Sequence, residues 1–300
     1  MKKSKTLFIY NPRAGKSQIR SNLSDILDVL VKGGHEITVY PTQYAGDAIR
    51  ATAAKSKRYD CVVCSGGDGT LDEVVSGMLQ SSKQVPIGYI PAGSTNDFAN
   101  SLGLSKNMAE AARDVVAGKL FACDIGSFNM DTFVYIAAFG IFTEVSYGTR
   151  QEYKNVLGHL AYILEGVKSL SSIRSYKMKV TTDELELEGD FLFGMITNSK
   201  SVGGFKMLTD KYVELNDGLF EVALIKRPTN VMELNQILTD VMNGSFNSSQ
   251  MYTFKTAYLH IDAEEEIPWT LDGEFGGKHL EVDIRNRKEA LEIYVPYNNL

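Results

Sequence analysis

Apolar runs and helix-period apolar stripes alternate along the first 120 or so positions. Thr6-Leu7-Phe8-Ile9-Tyr10 reads as a buried strand, and Leu23, Ile26, Leu27, Leu30 and Val31 then recur at helical spacing until Gly33-Gly34 ends the stripe. Glu36-Ile37-Thr38-Val39-Tyr40 is a second strand, followed by a helix from about Gly46. Cys61-Val62-Val63-Cys64-Ser65 and Val85-Pro86-Ile87-Gly88-Tyr89-Ile90 are further strands, with helical patterns over 71–77 and 108–117. Strand alternating with helix at this spacing predicts a doubly wound α/β domain, whose ligands gather at the C-terminal ends of parallel strands.

Beyond Phe121 the period shortens to two. Met178 to Glu188 alternates on either side of a turn, the mark of a hairpin, and similar short strands run to about Ile225. One helical pattern interrupts them at 152–170, with Val156, Leu157, Leu160, Tyr162, Ile163, Leu164 and Val167. Being apolar around its circumference, it reads as core or as lipid contact. Strands at 280–284 and 290–295 finish the chain. With 300 residues, more than one core usually fills, two domains are expected. These are an α/β nucleotide-binding domain over 1–124 and an antiparallel β-sandwich-like domain over 125–287.

A net charge of −6 argues against nucleic acid as partner and against general adhesion to anionic membranes, a local basic patch aside. Three cysteines are too few for a disulfide framework, and Cys61 and Cys64, on opposite faces of one strand, are expected as buried thiols in a reducing cytosol. The basic start is followed by an apolar stretch ending at Tyr10, too short for a signal peptide. The apolar run at 133–142 is about half the length that crosses a bilayer, so no transmembrane segment is expected.

Two of the strands end in polar, glycine-containing loops that open helices. Gly66-Gly67-Asp68-Gly69-Thr70 and Pro91-Ala92-Gly93-Ser94-Thr95-Asn96-Asp97 are the layout by which backbone N–H groups at helix N-termini hold phosphate. Asp68 would repel a phosphate unless a divalent cation lay between them, which suggests Mg²⁺; an N-cap role is the alternative. Asn11-Pro12-Arg13-Ala14-Gly15-Lys16-Ser17 ends like a Walker A loop, but Tyr10 stands where its first glycine is needed, so it is a turn. Thr42 falls on the same rim. In Trp269-Thr270-Leu271-Asp272-Gly273-Glu274, the two carboxylates one residue apart project to one face, where one could take a proton. An Asp-Gly hairpin turn is the alternative there, as a plain turn is for Glu214-Leu215-Asn216-Asp217-Gly218-Leu219.

Gly66-Gly67-Asp68-Gly69-Thr70 with Glu73, followed by Pro91 through Phe98-Ala99, resembles the catalytic domain of the soluble diacylglycerol and sphingosine kinases, bacterial lipid kinases included. The first motif is shared with NAD kinases. Asp72 and Ser76 stand where the family usually has asparagine, and Ser94 where threonine is common. The resemblance implies ATP held by Asn11, Pro12, Arg13, Ala14, Gly15, Thr42, Gly66, Gly67, Asp68, Gly69, Thr70, Leu71, Asp72, Glu73, Ser94, Asn96 and Asp97, with Lys16 a weaker candidate. It implies a catalytic Mg²⁺ at Asp68 and a structural Mg²⁺ on Asp217 with the carbonyls of Glu214 and Leu219. Asp272 and Glu274 become the catalytic carboxylates, across from the nucleotide loops, and a last segment at about 288–300 returns to the first domain. The implied activity is ATP-dependent phosphorylation of a membrane lipid, diacylglycerol by preference, by a cytoplasmic protein that touches the membrane reversibly; homodimerisation is left open. The competing expectations are an NAD kinase-like enzyme and a non-catalytic nucleotide- or lipid-sensing module.

Overall fold

Continuous apolar runs such as Leu7-Phe8-Ile9 and Cys61-Val62-Val63-Cys64 leave no polar face for solvent, and in the computed structural model they are the inner strands of a parallel sheet. The structure describes residues 3–15, 18–93, 96–140, 173–199, 201–202, 205–206, 213–243 and 248–297. The chain forms two units, Met1–Cys123 with Glu289–Leu300, and Asp124–Lys288.

The first unit alternates β1 (Ser4–Tyr10), α1 (Ile19–Lys32), β2 (His35–Pro41), α2 (Asp47–Lys55), β3 (Cys61–Gly66), α3 (Asp68–Gln80), β4 (Ile87–Pro91), α4 (Asp97–Ser101) and α5 (Met108–Ala117). Its strands lie parallel in the order β2-β1-β3-β4, and Ile293, in the last strand of the chain, pairs with Ile87 beyond β4. Ile19, Ile26 and Leu30 of α1 and Met108, Ala111, Ala112 and Val115 of α5 pack with Phe8, Val63 and Ile90 of the sheet. That apolar layer fixes the strands, so the loops leaving the C-terminal ends of β1, β3 and β4 share one rim. Cys61, Cys64 and Cys123 are buried, and burial raises the pKa of the Cys61 and Cys64 thiols.

The second unit is mainly antiparallel. Its strands are β5 (Lys119–Phe128, begun in the first unit), β6 (Asp131–Phe133), β7 (Ile136–Gly140), β8 (Tyr176–Thr181), β9 (Glu186–Thr197), β10 (Ser201–Val202), β11 (Phe205–Lys206), β12 (Phe220–Lys226), β13 (Met251–Thr256), β14 (Tyr258–Leu271) and β15 (Glu274–Val295, which ends in the first unit). The order is β13-β12-β9-β7-β14-β15. β8 also pairs with both β9 and β14, so β7 and β8 lie end to end between them. Trp269 centres the core, with the rings of Phe139 and Phe128 at 4.8 and 5.0 Å.

Two features depart from the sequence pattern. The strands expected at 280–284 and 290–295 are parts of one, β15, which absorbs an irregularity at Glu289 (φ 50°). A helix not expected there, α6 (Val231–Met242), opens with side-chain caps: Asn230 accepts from the Glu233 N–H at 2.9 Å, and Glu233 accepts from the Thr229 N–H at 2.7 Å. The helix expected at 152–170 lies outside the described residues. Among the described residues no helix is long and apolar enough to cross a membrane.

Candidate nucleotide and phosphoryl-transfer residues

The three rim loops of the first unit are tied to one another by short polar contacts. The Asn11 N–H donates to the Ser65 carbonyl at 2.9 Å, its side-chain amide reaches Thr70 Oγ1 at 3.5 Å, and its own Oδ1 accepts from the Arg13 N–H at 2.9 Å. Gly15, in the left-handed region at φ +48°, passes so near β4 that an added Cβ would lie 1.6 Å from the Ala92 carbonyl oxygen. Gly93 is equally confined, since a Cβ there would meet Gly67 Cα at 2.7 Å. Asn96, also left-handed at φ 53°, holds this turn by accepting from the Gly93 N–H and donating to the Gly93 carbonyl, both at 2.9 Å. Only residues that tolerate positive φ or carry no side chain let the loops approach this closely.

Asp68 is the first residue of α3 and half-buried, with Gly67 as the extended N-cap and Asp72 one turn further along the helix. Its charge is felt nearby, because the buried Tyr89 hydroxyl is held well above its ordinary pKa by burial, with Asp68 next and Cys64 contributing. The Tyr89 hydroxyl donates to the Gly66 carbonyl at 3.3 Å and reaches Asn96 Oδ1 at 3.5 Å, so it links two of the loops. A tyrosine inside an apolar strand carries no sequence sign of that task. Thr70, Leu71 and Asp97 are buried beside these loops, Pro12 and Ala14 are half-buried and Arg13 is exposed, while Ser94 and Lys16 lie outside the described residues. Thr42 continues β2 past its end, its N–H donating to the Tyr10 carbonyl at 2.9 Å.

Glu73, expected beside the nucleotide, is engaged by the backbone of α2. Its two carboxylate oxygens accept from the Gly46 and Ala48 N–H groups at 2.8 and 3.0 Å, so α3 supplies the cap for the N-terminus of α2. Asp47, fully buried, completes this brace by accepting from the Gln43 N–H, the Tyr40 hydroxyl and the Arg50 guanidinium. Burial alone would raise its pKa, but those donors hold it below the ordinary carboxylate value.

In the second unit, Asp272 and Glu274 are distinguished by what surrounds them. Asp272 is buried and left-handed at φ 49°, and its carboxylate accepts three consecutive backbone N–H groups: Val134 on Oδ2, with Tyr135 and Ile136 on Oδ1 at 2.9 and 3.0 Å. Its own N–H donates to the Ile136 carbonyl at 2.8 Å, and the Tyr135 hydroxyl donates to its carbonyl at 3.3 Å. Glu274, the first residue of β15, is exposed. The Asp-Gly-Glu turn therefore presents one carboxylate locked into backbone and one at the surface.

The turn at 214–219 does not fit the metal expected there. Asp217 Oδ1 accepts from the Leu219 N–H at 2.9 Å, and Oδ2 pairs with the Lys255 ammonium at 3.0 Å. The same ammonium pairs with the largely buried Glu221 at 3.0 Å, and Lys288 reaches the Asp217 carbonyl at 3.4 Å. Glu214 is exposed, and Asp124, fully buried, pins the turn by accepting from the Gly218 N–H at 2.7 Å. Burial pushes the pKa of Glu221 up to about 7 against the pull of Lys255, with the Asp217 charge adding to the rise. Burial opposes the charge on Lys255, but its bonds to Asp217 and Glu221 prevail and raise its pKa. Where a Mg²⁺ on Asp217, Glu214 and Leu219 was expected, the Asp217 carboxylate is paired with a lysine from a strand 38 residues further along the chain.

Residues 5–128 match the diacylglycerol kinase catalytic domain, and residues 138–295 match the YegS C-terminal NAD kinase beta sandwich-like domain. A diacylglycerol kinase of Staphylococcus carnosus (strain TM300) is 33% identical over 290 residues, covering 96% of this chain and 94% of that one. One of Bacillus subtilis (strain 168) is 34% identical over 273 residues, covering 90% and 89%. A crystal structure from Bacillus anthracis str. Sterne superposes with a TM-score of 0.84 at 25% identity, covering 100% of this chain and 98% of that one. With the glycine-loop rim and the antiparallel second unit in this order, the chain belongs to the diacylglycerol kinase catalytic-domain family of lipid kinases.

Proposed function

We propose that the protein is an ATP-dependent kinase that phosphorylates the free hydroxyl of diacylglycerol, giving phosphatidic acid at a membrane surface it binds reversibly. The observation that carries this reading is the convergence of three strand-end loops on one rim, in a chain whose relatives over 96% of its length are named diacylglycerol kinases. Phosphoryl transfer asks mainly for positioning and charge neutralisation. Asn11, Gly15, Gly66, Gly67, Gly69, Thr70 and Asn96 shape the surface that receives the nucleotide phosphates, and Tyr89 keeps two of the loops in register. Glu73 acts one step back, through α2 and the segment after Thr42.

Asp68 and Asp72 offer hard carboxylate oxygens one helical turn apart, the donor chemistry Mg²⁺ takes. When bound with the nucleotide, Mg²⁺ neutralises phosphate charge, and Asp68 is the residue that would hold it. In the transfer itself the lipid oxygen forms the new bond to the γ-phosphorus, the bond from that phosphorus to the β–γ bridging oxygen breaks, and ADP leaves. Glu274 takes the hydroxyl proton, while Asp272 fixes the turn that presents it.

Asp68→Ala is expected to lose activity at every Mg²⁺ concentration while its circular dichroism stays native; wild-type turnover by this variant would make Asp68 a simple cap. The acceptor is tested with γ-labelled ATP against diacylglycerol, monoacylglycerol, phosphatidylglycerol, ceramide and sphingosine in mixed micelles. NAD⁺ is included because the second unit matches an NAD kinase-like domain. Label is expected in phosphatidic acid, with rates rising on anionic vesicles. Label in NADP instead would move the protein to the NAD kinases.

A further inference from the structure

The turn at 214–219 joins no nucleotide chemistry, yet it gathers charge from three places in the second unit. Asp217 lies in the turn, Glu221 at the start of β12 and Lys255 directly opposite Glu221 on β13. Both ion pairs measure 3.0 Å, and the lysine and both acids keep a third or less of their side-chain surface exposed. Behind them Asp124 takes the Gly218 N–H, and the Lys288 stem lies over Gly218, 3.0 Å from where a Cβ would stand.

A divalent ion and an ammonium compete for the outer oxygen of one carboxylate, because a cation coordinated there would sit about 2.0–2.6 Å from it and repel the ammonium. The ammonium has the advantage of being tethered: strand pairing holds Lys255 opposite Glu221 whatever the solution contains, whereas an ion must be dehydrated and drawn from solvent. We infer that Lys255 is the resident cation of this turn, taking the place of a bound divalent metal and making the second unit's stability independent of divalent ions.

The test is thermal unfolding of the full chain without nucleotide, in EDTA and in millimolar Mg²⁺. Wild type is expected to melt at the same temperature in both. Lys255→Met, which keeps the length of the stem and removes the charge, should melt several degrees lower in EDTA and recover with Mg²⁺, because Asp217 and Glu221 are then left without their cation. The recovery should vanish in the double variant Lys255→Met with Asp217→Asn, which assigns the ion to this turn rather than to the nucleotide loops. Should Lys255→Met fail to fold, Lys255→Arg decides with the wild type: it keeps the charge and should remain indifferent to Mg²⁺ and EDTA. A wild-type melt that falls in EDTA and is restored by Mg²⁺ overturns the inference, as does a Lys255→Met variant with no response to the metal. These melts read stability alone, so their outcome is separate from that of the acceptor assay.

Discussion

Glu274→Gln should lower kcat by about 10²–10⁴-fold, the usual effect of losing a positioned general base, with little change in KM for ATP and an unchanged melting temperature. The exchange keeps shape and hydrogen-bonding capacity and removes the ability to accept a proton, at an exposed position. Asp272→Ala should behave otherwise. It leaves the buried N–H groups of Val134, Tyr135 and Ile136 without their acceptor, each at about 1–3 kcal/mol. It also forces alanine into a left-handed conformation at φ 49°. For a unit of this size each kcal/mol lowers the melting temperature by roughly 2–4 °C, so a fall of several degrees or an insoluble chain is expected. Asp272→Asn keeps one acceptor oxygen and should lie between the two. Kinetics at saturating lipid and a thermal melt of each variant separate the roles. Near-normal kcat in Glu274→Gln would make the turn structural and send the search for the base to Asp97 or Asp124.

Gly15→Ala should raise KM for ATP more than tenfold. The new methyl would overlap the Ala92 carbonyl oxygen at 1.6 Å, too close for any rotamer to relieve, so the loop after β1 must withdraw from the loop after β4. Gly34→Ala is the matched control. It carries a positive φ of +89° but meets nothing within 4 Å. It should therefore cost stability by about 1 kcal/mol from the left-handed backbone and leave KM alone. Equal KM values for Gly15→Ala and wild type would show that the closeness of these loops has no part in nucleotide binding.

Much of the first unit was legible because its information is local. The helical stripe ending at Gly33-Gly34 became α1, the apolar runs became inner strands, and the two glycine loops lie at strand ends as the α/β pattern requires. The Met178 to Glu188 alternation likewise became β8 and β9 about the 182–185 turn. What stayed hidden depends on partners distant in sequence. Nothing between 269 and 277 distinguishes Asp272 from Glu274, because the three amides that engage Asp272 come from a segment more than 130 residues earlier. The cation at Asp217 was invisible for the same reason, since Lys255 reaches it by strand pairing. The start of α6 was different: Thr229-Asn230-Val231-Met232-Glu233 carries a readable local cap signal beside a helical stripe, within strand-like surroundings. That Glu73, which follows the glycine loop on α3, also caps α2 was hidden in the same way as the cation at Asp217, because Gly46 and Ala48 lie 27 and 25 residues earlier.

The most direct test of the account is the identity and balance of the products when the protein is incubated with ATP, Mg²⁺ and vesicles containing diacylglycerol. One ADP for each phosphatidic acid formed, with both products lost together in Glu274→Gln, is the predicted result. ADP released without any phosphorylated lipid, or a phosphorylated lipid other than phosphatidic acid whatever the vesicle composition, would contradict it.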